Sequence, residues 1–214
     1  MKFHRALELN PNLVTAREFY GRFLMGMGRF EEAIAEYKRA QQLDPLSLLV
    51  NTEMGWSYGA ARKYTEATAK FLEVLELDPN LTIARFSLGK AQEVTGKHHE
   101  AIQAFQAALE ADKNNLAFLA FLGRAYGGAD QRNETLKVLA QLQSRANSGN
   151  VSPYFFVLVH LGLGENDVAL SFLEMCYEQR DSWMITLKVS PELDPLRSHP
   201  RFQALLRRMN FPPH

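Results

Sequence analysis

A proline returns every 34 residues, at Pro11, Pro45 and Pro79. Each closes a related tripeptide: Leu9-Asn10-Pro11, Leu43-Asp44-Pro45 and Leu77-Asp78-Pro79. A fixed period of this length marks a repeat architecture, in which one supersecondary unit stacks on the next to bury a continuous core. Such a stack offers an extended surface to partners and supplies no ready catalytic constellation.

With proline at position 32 of each unit, the units begin at Val14, Leu48, Thr82, Leu116 and Asn150. Position 8 then reads Gly21, Gly55, Gly89 and Gly123, and position 20 reads Ala33, Ala67, Ala101, Thr135 and Ala169. Position 24 reads Tyr37, Phe71, Phe105, Leu139 and Leu173, and position 27 reads Ala40, Val74, Ala108, Leu142 and Cys176. Position 15 is Gly28, Gly96 and Gly164, with Arg62 and Asp130 as exceptions. A mid-helix glycine costs roughly 1 kcal/mol against alanine. Its recurrence at position 8 therefore implies close approach of a second helix, with the small residue at position 20 expected opposite. The large residue at position 24 is expected to fill the gap between units. Glycine at position 15 suits a left-handed helix C-cap, and Asp-Pro at 31–32 ends the second helix. Apolar residues at 30, 33, 34, 37 and 40 follow helical spacing, and no strand pattern interrupts it. Each unit reads as two antiparallel helices, over positions 1–14 and 17–30.

These residues resemble the tetratricopeptide repeat (TPR). The resemblance is closest in the units from 14, 48 and 82. It weakens from 116, where Thr135 replaces alanine, and from 150, where Val157 stands at position 8. It implies an all-α fold, a right-handed superhelix of antiparallel helix pairs. The expected organisation is a half repeat over 1–13, repeats over 14–47, 48–81, 82–115, 116–149 and 150–183, and a C-terminal helical cap over 184–214. The half repeat supplies a second helix without its first, with Phe3, Ala6 and Leu7 uncovered. A fragment of a longer array is expected; a natural half-repeat cap is the alternative. The runs Leu193-Asp194-Pro195-Leu196-Arg197 and His199-Pro200-Arg201-Phe202 resemble the end of bacterial TPR proteins that carry a winged-helix regulator or a serine/threonine kinase. That implies bacterial origin and a preceding effector domain. Leu193, Leu196, Phe202, Leu205 and Leu206 are expected to cover the last apolar face. Where Lys113 and Asn147 replace proline, looser connections are expected.

The resemblance also implies that first helices line a concave groove through positions 2, 5, 9, 12 and 13. Position 9 gives Arg22, Trp56, Lys90 and Arg124; position 5 gives Phe86 and Tyr154. These six are the candidate partner-binding residues: a basic ladder with aromatic anchors, suited to a peptide with acidic or C-terminal carboxylate groups. Packing of Trp56 and Phe86 against neighbouring repeats is the competing reading. Charge reversal at Lys90 or Arg124 is expected to weaken an acidic peptide with little change in melting temperature. The carboxylate clamp some relatives use for chaperone tails is absent, since Glu18, Arg22, Glu53, Ile83 and Ser87 stand at its positions.

The other chemistry-bearing residues carry bland readings. His98-His99 lacks metal-ligand spacing and reads as a solvated turn. His160 falls at a packing position and reads as a satisfied buried histidine. Cys176, the single cysteine, reads as an inert buried thiol and excludes an intramolecular disulfide. Gly127-Gly128 and Gly162-Leu163-Gly164 do not follow a strand, so a phosphate loop fails. Glu192 and Asp194 have no cleft or partner base. No enzyme, cofactor or metal is expected.

The 214 residues are 46% hydrophobic and 22% charged, enough to bury a core, and Lys+Arg balance Asp+Glu at 24 each. Neutral charge disfavours nucleic-acid partners. No apolar run reaches the ~18 residues of a membrane span, and the N-terminus lacks a secretory apolar core. A cytoplasmic location is expected, or a periplasmic one if a preceding part carries an anchor. Two functions stand: a non-catalytic scaffold binding a peptide or partner surface in the groove, and a self-association or regulatory domain of a larger bacterial transcription regulator or kinase.

Overall fold

The computed structural model describes residues 2–149 and 151–210. Its elements are α1 (Lys2–Leu9), α2 (Val14–Gly26), α3 (Phe30–Leu43), α4 (Leu48–Ala60), α5 (Tyr64–Leu77), α6 (Thr82–Val94), α7 (His98–Ala111), α8 (Leu116–Gly128), α9 (Arg132–Ser148), α10 (Pro153–Gly162), α11 (Asn166–Glu178) and α12 (Pro200–Met209). Two 3-10 helices, Ser182–Thr186 and Pro191–Leu196, lie between α11 and α12. No strand occurs among the described residues. The fold is all-α, and α2 and α3 match the expected positions 1–14 and 17–30 to within one residue. The side chain of Phe3 and the tail 211–214 lie outside the described residues.

The left-handed turn expected of the position 15 glycines is also adopted at the two exceptions, Arg62 and Asp130. Gly28, Arg62, Gly96, Asp130 and Gly164 all hold left-handed backbone, at φ 75°, 61°, 78°, 58° and 76°. The hairpin thus imposes the conformation even where the residue bears a side chain, at some steric cost. Asp44, Asp78 and Asp112 close α3, α5 and α7. Lys113 loosens nothing: α7 stops where its counterparts do, and Asn115 Oδ1 accepts the Phe118 amide to start α8. At Asn147 there is no proline to stop the chain, and α9 runs on to Ser148.

The described residues divide into two compact units, the first ending at Ala91 and the second beginning at Gln92, within α6. In the first, Leu24, Ala33, Tyr37, Ala40, Val50 and Met54 form one core, and Ala67, Phe71, Leu88 and Ala91 form another. The position 8 glycines face a partner other than the one expected. A Cβ on Gly21 would lie 2.7 Å from the Tyr37 ring, and one on Gly55 would lie 2.5 Å from Phe71. The position 24 ring, and not the position 20 alanine, fills the space each glycine leaves. In the second unit Gly123 packs on Val138 and Val159. Further along α8, Gly127 lets the backbone of Gly162 in α10 approach so closely that no side chain fits. These glycines serve helix packing.

The cap helix α12 buries Phe202 and Leu205. Arg201 anchors it by a bidentate pair with Glu174, at 2.9 and 2.8 Å. Leu193 and Leu196 are buried as expected, while Leu206 is only half-buried. No helix among the described residues is long and apolar enough to cross a membrane.

Candidate functional site

In the first unit, the first helices carry Arg22, Trp56, Phe86 and Lys90, of which Phe86 is buried and the other three are half-buried. Arg22 Nε donates to Glu53 Oε1 at 2.7 Å and Nη2 to Glu18 Oε1 at 3.1 Å, with the guanidinium over the Phe19 ring. Its side chain remains 38% exposed. Tyr37 Oη donates to the other oxygen of Glu53 at 3.2 Å. Burial pushes the Glu53 carboxyl upward, against the pull of Arg22, and pushes the Tyr37 phenol upward as well. Trp56 is half-buried, and its indole N–H donates to Ser87 Oγ at 2.7 Å. Position 2 is open: Leu49 is 48% and Ile83 40% exposed, and Thr15 is exposed at the same position. A Cβ on Gly26 or Gly59 would meet nothing within 4 Å.

The second unit holds Arg124 and Tyr154. Arg124 Nη1 pairs with Glu93 and Nη2 donates to the Glu192 carbonyl at 3.2 Å; its side chain is 12% exposed. Tyr154 is fully buried, donates to Glu192 Oε1 at 3.2 Å and lies flat against Trp183 at 5.1 Å between ring centres. Its phenol is pushed well upward, by burial first and then by the Glu192 charge. Neither Arg22 nor Arg124 is a free cation. Arg124→Glu would set a carboxylate against the buried Glu93, so charge reversal there is expected to lower the melting temperature as well. Glu93 was not singled out from sequence, and Glu53 and Glu192 were named there without their arginine and tyrosine partners. The usable signal is a spacing of 31 residues, shared by Arg22–Glu53 and Glu93–Arg124.

The remaining residues have structural roles. His98 is half-buried against Gly128 and is not a solvated turn. His160 Nδ1 lies 2.7 Å from Glu165 Oε2, and its ring stacks on Phe172. Cys176 is buried, and desolvation pushes its thiol up to about 12. No group of three His, Cys, Asp or Glu side chains is placed to hold a metal among the described residues.

The sequence profile described as "Tetratricopeptide repeat" matches residues 2–47 and 52–115, just over half of the chain. The chain belongs to the tetratricopeptide repeat family. As a TPR protein it is a protein-interaction scaffold in class. No curated protein matches it. Among solved structures it is similar to YrrB, described as a TPR protein with an unusual peptide-binding site. That likeness has TM-score 0.59 and 19% identity, covering 87% of this chain and 96% of YrrB. It is also similar to MamA, with TM-score 0.57 and 19% identity, covering 82% of this chain and 87% of MamA. The first TPR of Spaghetti (RPAP3), bound to an HSP90 peptide, gives TM-score 0.53 and 21% identity over 55% of this chain and 93% of its own. At these identities the likenesses establish the fold of the TPR array.

Proposed function

We propose that this chain is a non-catalytic scaffold that binds an extended peptide or partner surface along the first helices of its repeats, with the first unit as the main contact. The observation that carries this reading is the open face of that unit. Leu49 and Ile83 hold the same repeat position and are both exposed, beside the half-exposed Arg22, Trp56 and Lys90. An apolar strip edged by cations suits a peptide that alternates apolar and acidic side chains. YrrB and Spaghetti, both named for peptide sites, share the architecture. The test is titration of an array of such peptides against the chain, read by Trp56 fluorescence in a Trp183→Phe background. Lys90→Glu is expected to weaken a bound acidic peptide about tenfold, the loss of one charge-assisted contact. A peptide that binds Lys90→Glu unchanged removes the cation from the site.

Self-association is a second reading, with its own observation. Leu9, Leu43 and Leu77 share repeat position 30 and are all exposed, and Leu46 is exposed beside them. Solvent-facing leucines at one recurring position suit a partner surface. Sedimentation decides it: a monomer at every concentration ends this reading.

A further inference from the structure

Residues 182–196, both 3-10 helices included, lie on the face of α8 and α10 that carries two of the candidate binding residues. The Trp183 ring stacks within 3° of parallel on Tyr154, meets Phe155 edge-on at 6.1 Å and tilts against Phe121 at 6.5 Å. Glu192 brings its carboxylate to the Tyr154 hydroxyl and its carbonyl to Arg124. An aromatic ring on an aromatic shelf and a carboxylate at an Arg–Tyr pair are what an acidic, aromatic peptide would present.

We propose that residues 182–196 are a built-in ligand of the α8/α10 face, exchanging with a partner segment that presents the same two groups, an aromatic ring and a carboxylate. Three observations carry it. First, the segment is closed on itself. Asp181 caps it by accepting the Trp183 amide, and Arg197 ties it off by donating to the carbonyls of Lys188 and Ser190. Its ends are thus secured locally, as in compact self-packed loops. Second, among the described residues no backbone–backbone hydrogen bond joins it to α8 or α10. It can leave without opening either helix. Third, Glu192 is buried with its carboxylate on the Tyr154 hydroxyl, while its carbonyl accepts from Arg124, whose charge Glu93 already meets. A buried charged cluster of this kind adds little to stability, and it fixes where a segment sits. Met184, Leu187, Leu193 and Leu196 are also buried, so the closed form dominates and the open form is a minor population.

This extends the groove reading to the second unit, and its test is independent of what the first unit binds. Native-state hydrogen exchange is measured on the intact chain. The amides of Met184, Leu187, Ser190 and Leu193, bonded only within 181–190, are expected to exchange at least tenfold faster than those in the middle of α8 and α10. Exchange of both sets at one rate overturns the proposal, because the segment then opens only when the helices do. The second arm titrates a labelled synthetic peptide of residues 182–196 against wild type and the Trp183→Ala/Glu192→Gln variant. A face occupied in cis binds more weakly by the fraction of time it is open. The variant is therefore expected to bind the peptide at least tenfold tighter. A folded variant that binds no better overturns the proposal, and if the variant does not fold, the exchange rates decide.

Discussion

Arg124 tests the energetic account of the second unit most directly. Its guanidinium pairs with Glu93 and donates to the Glu192 carbonyl, and its side chain is 12% exposed. Arg124→Gln keeps a polar group of reduced reach and leaves the Glu93 carboxylate buried without its counter-charge. Breaking a buried pair in this way costs about 3 kcal/mol or more. For a chain of this size that lowers Tm by roughly 6–12 °C. Arg22→Gln removes the same residue type from the same repeat position, but that side chain is 38% exposed, and Tyr37 still donates to the buried Glu53 carboxylate left behind. The expected cost there is below about 1 kcal/mol. Urea denaturation by circular dichroism measures both variants against wild type. A double-mutant cycle with Glu93→Gln should recover a coupling of about 1 kcal/mol or more. The reasoning is refuted if Arg124→Gln falls within about 0.5 kcal/mol of wild type, or if Arg22→Gln costs as much.

Further predictions concern the turns, the packing glycines and the pH response. Arg62→Gly should raise stability by about 1 kcal/mol by relieving a left-handed arginine, with Asp130→Gly gaining less because aspartate tolerates that region better; both read out as Tm. Gly55→Ala should cost about 1–3 kcal/mol because its Cβ would sit 2.5 Å from Phe71, and adding Phe71→Leu should return part of the loss in a denaturant series. Arg201 holds the Glu174 carboxyl below the usual range, so this pair's contribution is present above that range and lost as pH falls through the lowered value. Glu174→Gln should therefore flatten the acid limb of a stability–pH curve. Glu53 has the opposite sign: its carboxyl is raised by burial, so its contribution to stability declines as pH rises out of the usual carboxylate range, and Glu53→Gln should remove that decline.

Periodicity made the helices legible because each repeat obeys the same local rules. Proline stops a helix, a left-handed residue turns the hairpin, and small and large residues alternate at the contact. The position 15 turn was legible at its glycines and not at Arg62 or Asp130, where the residue type argues against it. What sequence missed were relations between helices, within a repeat and from one repeat to the next. Whether Gly21 faces Ala33 or Tyr37 depends on the rotation of one helix against another, and residue type does not encode that. The candidate binding residues were placed by register alone. Their burial is set by what covers them, and for Tyr154 the cover is Trp183 and Glu192, nearly thirty and forty residues on. His98 went the same way, since its neighbour Gly128 lies one repeat later.

The two units use one chemical set in two states. In the first unit the Glu53 carboxylate takes both Arg22 and Tyr37; in the second, Glu192 takes Tyr154 on its carboxylate and Arg124 on its carbonyl. In the first, the carboxylate comes from the neighbouring repeat helix, and the arginine keeps more than a third of its surface in water. In the second, Glu93 already supplies a helix-borne carboxylate, and the tail adds another along with an indole that seals the phenol. With Glu93 neutralising the arginine, the Glu192 carboxylate is buried against a phenol, so stability alone does not account for it. Its placement follows if the Tyr154 hydroxyl, beside Arg124, is a receptor for carboxylates and the tail is its resident occupant. On that reasoning Glu192→Gln should leave Tm nearly unchanged while raising amide exchange in 184–193, whereas Arg124→Gln should lower Tm. A variant at Glu192 as destabilised as that at Arg124 would make the tail carboxylate a structural counter-ion and end the argument.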